Sequence, residues 1–72
     1  MPTINMKKTG DNIKVLMKKN GLTVADLQNI FGFNTPNAIY RWCAGQNLPT
    51  IDNAVILAAI FHTTINDILV LD

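Results

Sequence analysis

Apolar residues along this chain recur at helical spacing and show no sustained polar/apolar alternation. In "TGDNIKVLMKKNG", Ile13, Leu16 and Met17 share one face, lysines lie opposite, and Gly21 is placed to end the helix. "TVADLQNIFG" opens with Thr23 and Asp26, a Thr-x-x-Asp capping pair. Its apolar stripe is Val24, Leu27 and Ile30/Phe31, and it stops at Gly32. Thr35 then reads as an N-cap and Pro36 as the first helical residue, where a missing N–H costs nothing. That third helix runs to about Ala44 and stops at Gly45. A fourth is expected from about Thr50 to His62, and a short fifth from about Ile65 to Leu71 after Thr63-Thr64.

No Asn-Gly hairpin turn, repeat, low-complexity run or interdomain linker interrupts the pattern. The expected fold is a compact all-α domain of five short helices over residues 1–72, with an ordered core at about 9–70. The fourth helix differs from the rest. Ile51, Ala54/Val55, Ala58 and Phe61 form an inward stripe, while Ile56, Ala59 and Ile60 fall partly on a second side, joined by Val70 and Leu71. A helix apolar nearly all round must bury more than one face, and no further chain is left to cover it. Ile56, Ala59, Ile60, Val70 and Leu71 are therefore expected to form a two-fold homodimer interface.

Composition narrows the class. With 72 residues and 49% hydrophobic content the chain is one small globular domain, too apolar for a disordered tail. A domain of this size buries only about 60% of its unfolded surface. One cysteine permits no intrachain disulfide. No apolar run approaches the roughly 18 residues of a membrane span, and "MPTINMKKTGDN" lacks a signal-peptide core. These features read as a soluble, cytoplasmic protein with no membrane association. The net charge of +1 hides an asymmetry: six basic residues against Asp11 and Asp26 leave residues 1–42 at +4. Residues 43–72 carry Asp52, Asp67 and Asp72 and no Lys or Arg, at −3 with His62 neutral. A basic half is either a polyanion footprint or an ordinary solvated surface.

The third helix bears on that choice. Ile39, Trp42 and Cys43 share one face, and Asn37, Tyr40, Arg41 and Ala44 follow i, i+3, i+4, i+7 on the other. Arginine pairs with guanine O6/N7, asparagine with adenine N6/N7, and small or aromatic groups meet the thymine methyl. Helix, Gly turn, second helix with an exposed polar face is helix-turn-helix order, although an ordinary αα-hairpin has the same periodicity.

From about Thr9 to Val70 the chain also resembles the Cro/phage-repressor (XRE-type) helix-turn-helix family of bacterial and phage DNA-binding proteins. The matching pieces are "NIKVLMKKNGLTVADLQNIFG", "AIYRWCAGQNLPTIDNAVILAAIF" and "TINDILV". Gly-Leu-Thr before the second helix, Ile-x-x-Trp in the third, Gly-x-x-x-Pro after it and the final Asp-Ile-Leu fall in family order. The resemblance implies a lambda-repressor-like domain that regulates transcription by binding double-stranded DNA. It places Thr35, Pro36, Asn37 and Arg41 near bases, flanked by Tyr40 and Ala44. It places Thr23 and Val24, at a helix N-terminus, and Gln46 and Asn47 near phosphates. Lys7, Lys8 and Lys14 are candidates for sequence-independent phosphate contact.

The chain departs from the family pattern in four places. Gly32 to Trp42 is one residue longer, the extra residue lying in "FNTP". Gln28 replaces a usual Ala, and the two changes are read as linked, with the Gln28 amide satisfying the longer turn. Met17 and Cys43 stand where many members pair Arg with Glu, so Cys43 is expected to be buried against the first helix and unreactive. The rival is a redox-sensing thiol, which needs exposure and a lowered pKa. Val24 replaces a Gln, removing a side-chain phosphate contact.

The other singular residues have plain readings. Trp42 belongs to the core, His62 to an exposed helix end, and Lys18 and Lys19 to a solvated one. Tyr40 is divided between base or sugar contact and surface packing. One His and one distant Cys make no metal site, and no cofactor is implied. Without paired carboxylates, an activated nucleophile or a Gly-rich phosphate loop, no enzyme is expected. The leading function is a sequence-specific DNA-binding regulator. The alternative is a protein-interaction module, such as the antitoxin part of a toxin–antitoxin pair.

Overall fold

In a computed structural model, residues 2–72 are described. They form five helices: α1 (Met6–Lys19), α2 (Val24–Phe31), α3 (Asn37–Ala44), α4 (Ile51–Ile60) and α5 (Ile65–Ile68). Each helix sends one aliphatic residue to a common centre. Ile13, Leu27, Ile39, Leu57 and Ile68 are all at most 1% exposed. Burying a side chain of this size stabilises by about 1.5–3 kcal/mol, so the five helices share one core that none could form alone. Met17, Trp42, Cys43, Ala58 and Phe61 complete it.

The closest packing is between α1 and α3, where two glycines let backbone meet backbone. A Cβ on Gly10 would lie 2.6 Å from the carbonyl oxygens of Trp42 and Cys43. One on Gly45 would lie 2.8 Å from the Lys7 Cα and the Met6 carbonyl oxygen. No side chain larger than hydrogen fits at either point, and α3 is thereby pinned along its C-terminal half.

Helix α1 begins at Met6, ahead of the Thr9 at which the ordered core was expected to start. The cause is Asn5, whose Oδ1 accepts from the Lys8 N–H at 2.9 Å as an N-cap. Helix α5 is shorter than expected, ending at Ile68 instead of Leu71. Residues 69–71 leave the helix, and polar groups along the start of α1 take the backbone of residues 67–70. The Asn12 amide donates to the carbonyls of Asp67 (2.8 Å) and Ile68 (3.0 Å), and the buried Thr9 hydroxyl accepts from the Val70 N–H at 2.9 Å. The Asn5 N–H donates to the Val70 carbonyl, and Ile4 bridges antiparallel to Leu71. The N-cap Asn5 and α1 positions 9 and 12 follow helical spacing, so one polar edge captures an extended segment that a purely apolar reading counted as helix.

Helix α4 ends at Ile60, two residues before the expected His62. His62 has φ of 55°, left-handed and non-helical, and the N–H groups of His62 and Thr63 close the helix on the Ala59 and Ala58 carbonyls. The expected inward stripe of α4 is also corrected. Leu57, Ala58 and Phe61 are buried, but Val55 is exposed and Ile51 is 81% exposed. Among the described residues no helix is long and apolar enough to cross a membrane.

Candidate nucleic-acid interface

The site starts with the α2 cap. The Thr23 hydroxyl accepts from the Asp26 N–H at 3.1 Å, and the Asp26 carboxylate accepts from the Thr23 N–H at 2.9 Å. The capping box forms as read from Thr-x-x-Asp. It also occupies the Thr23 N–H, which the resemblance assigned to phosphate. The Val24 N–H, first in the helix, has no intrahelical acceptor and remains available to an anion.

The turn after α2 is held by aromatic rings. Phe33 folds back and stacks on Phe31, with centroids 5.1 Å apart and planes 11° apart. Both meet Trp42 edge-on, at 5.5 and 5.9 Å. The Gln28 amide donates to the Phe33 carbonyl at 3.2 Å. The reading that Gln28 serves the longer turn is supported by this bond. With Phe33 anchored, Asn34 and Thr35 lie exposed between it and α3. The aromatic triad was missed in sequence. Its one signal is three rings at 31, 33 and 42 flanking a Gly turn.

Helix α3 starts one residue later than expected. Pro36 is the N-cap, with φ of −83° and ψ of 5°, and Asn37 is the first helical residue. The Thr35 hydroxyl accepts from the Asn37 N–H at 3.4 Å, a weak cap from one position upstream. From there the two faces separate as the spacing required. Ile39, Trp42 and Cys43 are buried; Asn37, Tyr40, Arg41 and Ala44 are exposed. Among the described residues, the Asn37 amide, the Tyr40 phenol and the Arg41 guanidinium hydrogen-bond to no other side chain or backbone group. Tyr40 is 57% exposed and packs across no aromatic neighbour.

Cys43 lies with its Sγ 3.9 Å from the Met17 Sδ and is 7% exposed. Burial pushes its thiol above the usual range, against a weaker opposing pull from Lys14. The apolar Met17–Cys43 pair was expected, and the raised pKa leaves the thiol protonated and a poor nucleophile.

The structure brings several candidate residues together. Lys14, Thr23, Val24 and Tyr40 all line one groove of about 310 Å³, with Met17, Leu22 and Cys43 forming its apolar walls. Lys7 sits at the other end of α3, against Gly45, next to the exposed Gln46 and Asn47. The cations are not all free. Lys7 and Lys14 pair with Asp11 at 3.0 and 3.4 Å, whereas Lys8 and Arg41 have no acidic partner among the described residues. Lys8 lies one residue round α1 from Lys7, about 100° away, so it does not share that edge with α3. His62 is exposed, and the described residues contain no His/Cys/Asp/Glu group able to hold a metal. The proposed association residues split: Ile56, Ala59 and Leu71 are exposed, while Ile60 and Val70 are half-buried.

The α2–α3 unit thus carries a polar outward face on its second helix, with Lys7 and Lys14 of α1 at its two ends. A search of curated proteins and one of solved structures each returned no match. A scan against family models matched one described as "Helix-turn-helix" over residues 13–68. That span holds α2, α3 and α4 whole, the second half of α1, and α5 to its last residue, so the chain belongs to the Cro/C1-type (XRE-type) helix-turn-helix family of DNA-binding proteins.

Proposed function

We propose that this protein is a sequence-specific transcriptional regulator whose α3 reads bases in a major groove. The observation that carries the reading is the state of the outward α3 face. An amide, a phenol and a guanidinium stand exposed without a partner among the described residues, on a helix fixed by Ile39, Trp42, Cys43 and the two glycine crossings. The fixed helix leaves no backbone to order on docking, so the ordering cost is confined to the side chains themselves. Arg41 and Asn37 supply bidentate base contacts, and Thr35, Pro36, Tyr40 and Ala44 lie beside them. The Val24 N–H, Lys7, Lys14, Gln46 and Asn47 meet phosphates on either side, and Lys8 adds a more distant contact. With one charged residue on the reading helix, affinity per monomer is modest.

The protein acts as a two-fold dimer through the exposed apolar side of α4 with the 70–71 segment, centred on Ile56, Ala59, Ile60, Val70 and Leu71. Two reading helices about 34 Å apart then address a palindrome. Selection of bound duplexes from a random pool tests the whole reading. A two-fold symmetric motif is expected, with binding that weakens steeply as salt rises. Failure to enrich any motif sinks it and leaves the α4 surface as a site for a different protein, the antitoxin-like alternative.

A further inference from the structure

Three α1 residues, Lys7, Asp11 and Lys14, recur at i, i+4, i+7 and so share one edge of the helix. That edge faces α3. Lys7 lies against Gly45 at the α3 C-terminus, and Lys14 lines the same groove as Tyr40. Asp11 stands between them and bonds both ammonium groups, Lys7 at 3.0 Å and Lys14 at 3.4 Å. All three side chains are half or more exposed to water or close to it, so the pairs contribute little to the fold. The hydrogen bond from Lys7 chiefly holds the Asp11 carboxyl below its ordinary range, with Lys14 acting in the same sense. Asp11 therefore stays ionised wherever the duplex is intact. A strip that would carry two positive charges beside the reading helix carries one.

We infer that Asp11 is a positioning residue that limits affinity: it holds Lys7 and Lys14 against the protein and opposes any phosphate approaching along that edge. The inference rests on the duplex-binding reading proposed above. An incoming phosphate must displace the carboxylate from at least one lysine and stand close to a like charge. Because phosphate contacts carry no sequence information, Asp11 lowers affinity for all duplexes by a common factor and leaves base preference untouched.

Asp11→Asn keeps the side chain's size and removes the charge. The number of phosphates neutralised should rise by about one, so the slope of log K against log salt steepens by about 0.9. Affinity should increase roughly five- to tenfold at 0.1 M salt for preferred and random duplexes alike, with the gain fading towards 1 M. The control is Asp67→Asn, which changes net charge by the same amount on α5, a helix that makes no contact with α3. It should alter affinity less than twofold. Asp11→Ser checks that the effect belongs to the lost carboxylate and not to the new amide. An equal gain in the Asp67 variant would reduce the effect to net charge and overturn the inference. So would an unchanged slope, or a loss of affinity in the Asp11 variants. Absence of duplex binding by the native chain at low salt would instead remove the underlying reading, a distinct result.

Discussion

Helices α3 and α4 follow one another in the chain and are eight and ten residues long, yet they solve opposite problems. α3 is divided cleanly: three buried residues on one side, and on the other polar groups that water satisfies at no cost. α4 buries Leu57 and Ala58 but leaves Ile51, Val55 and Ile56 in solvent. Another groove, about 160 Å³ and lined by apolar residues and proline, opens beside Ile51. An exposed polar face is stable as it stands and gains only from a ligand that replaces water bond for bond. An exposed apolar face is costly until covered, whatever covers it. The first is suited to reading sequence, the second to association.

The comparison can be broken most severely at Gly10. If α3 is fixed by backbone contact with α1, Gly10→Ala must force the helices apart, because carbonyl oxygens at 2.6 Å cannot rotate away as a side chain can. Alanine gains about 1 kcal/mol in helix propensity, which works against the effect. The overpacking term should still win, leaving a net loss of about 3 kcal/mol and a melting temperature lower by roughly 15 °C. A rise in melting temperature would show that α1 and α3 do not meet as closely as described.

The next largest effect is expected on α4. Ile56→Asp places a charge on the proposed dimer surface and should weaken association by about 2 kcal/mol or more. Stability of the dilute monomer should barely change, since Ile56 is already 41% exposed. Sedimentation over a concentration series reads the first, and chemical unfolding at low concentration reads the second. Native protein that stays monomeric at high concentration would remove the association reading of α4 altogether.

These two helices also differ in how much the sequence disclosed. The α3 division follows from spacing alone, and so do the α2 capping box and the Gly32 and Gly45 stops, because each depends on residues within one turn. The Met17–Cys43 contact was reachable only through the family comparison that paired those positions. Features made by residues far apart were not legible. The Asn5, Thr9 and Asn12 edge reads as ordinary polar helix surface until residues 67–70 arrive on it, and without it α5 reads as running on to Leu71. Helix α4 misled for another reason. An apolar pattern with no polar side gives no phase, so the choice of Ile51 and Val55 as inward had nothing to fix it. For the site, the α3 residues were legible, but the Asp11 pairing that alters the weight of Lys7 and Lys14 was overlooked. The signal was present as i, i+4 and i, i+3 spacing.

A smaller effect sharpens the outward face of α3. Arg41→Ala removes a guanidinium that bonds nothing among the described residues, so folding stability should be unchanged within about 0.5 kcal/mol. Binding to the selected motif should fall by about 1.5 kcal/mol, a little over tenfold, with preference relaxed at one base pair. Lys7→Ala should weaken all duplexes together and flatten the salt dependence. Equal losses on preferred and random duplexes for Arg41→Ala would mean that it serves only as a phosphate contact.

The smallest effect concerns how the two helices end. α3 stops on Gly45 at φ of 75°, and α4 closes through His62 at φ of 55°. Both sit in the left-handed region, where a Cβ costs roughly 1–2 kcal/mol against a neighbouring carbonyl. Gly45 is required twice over, since Lys7 Cα would also lie 2.8 Å from its Cβ. The imidazole of His62 is exposed and makes no hydrogen bond among the described residues, so only the backbone angle argues against it. His62→Gly should therefore relieve strain, and the greater freedom of glycine in the unfolded chain should cancel part of the gain. The expected result is a net stabilisation of about 0.5–1 kcal/mol, read as a higher denaturant midpoint with an unchanged slope. His62→Val should shift the midpoint the other way, because a β-branched residue tolerates positive φ least. If His62→Gly left the midpoint lower, the α4 terminus would owe its stability to the imidazole, and the two helix ends would not be versions of one device.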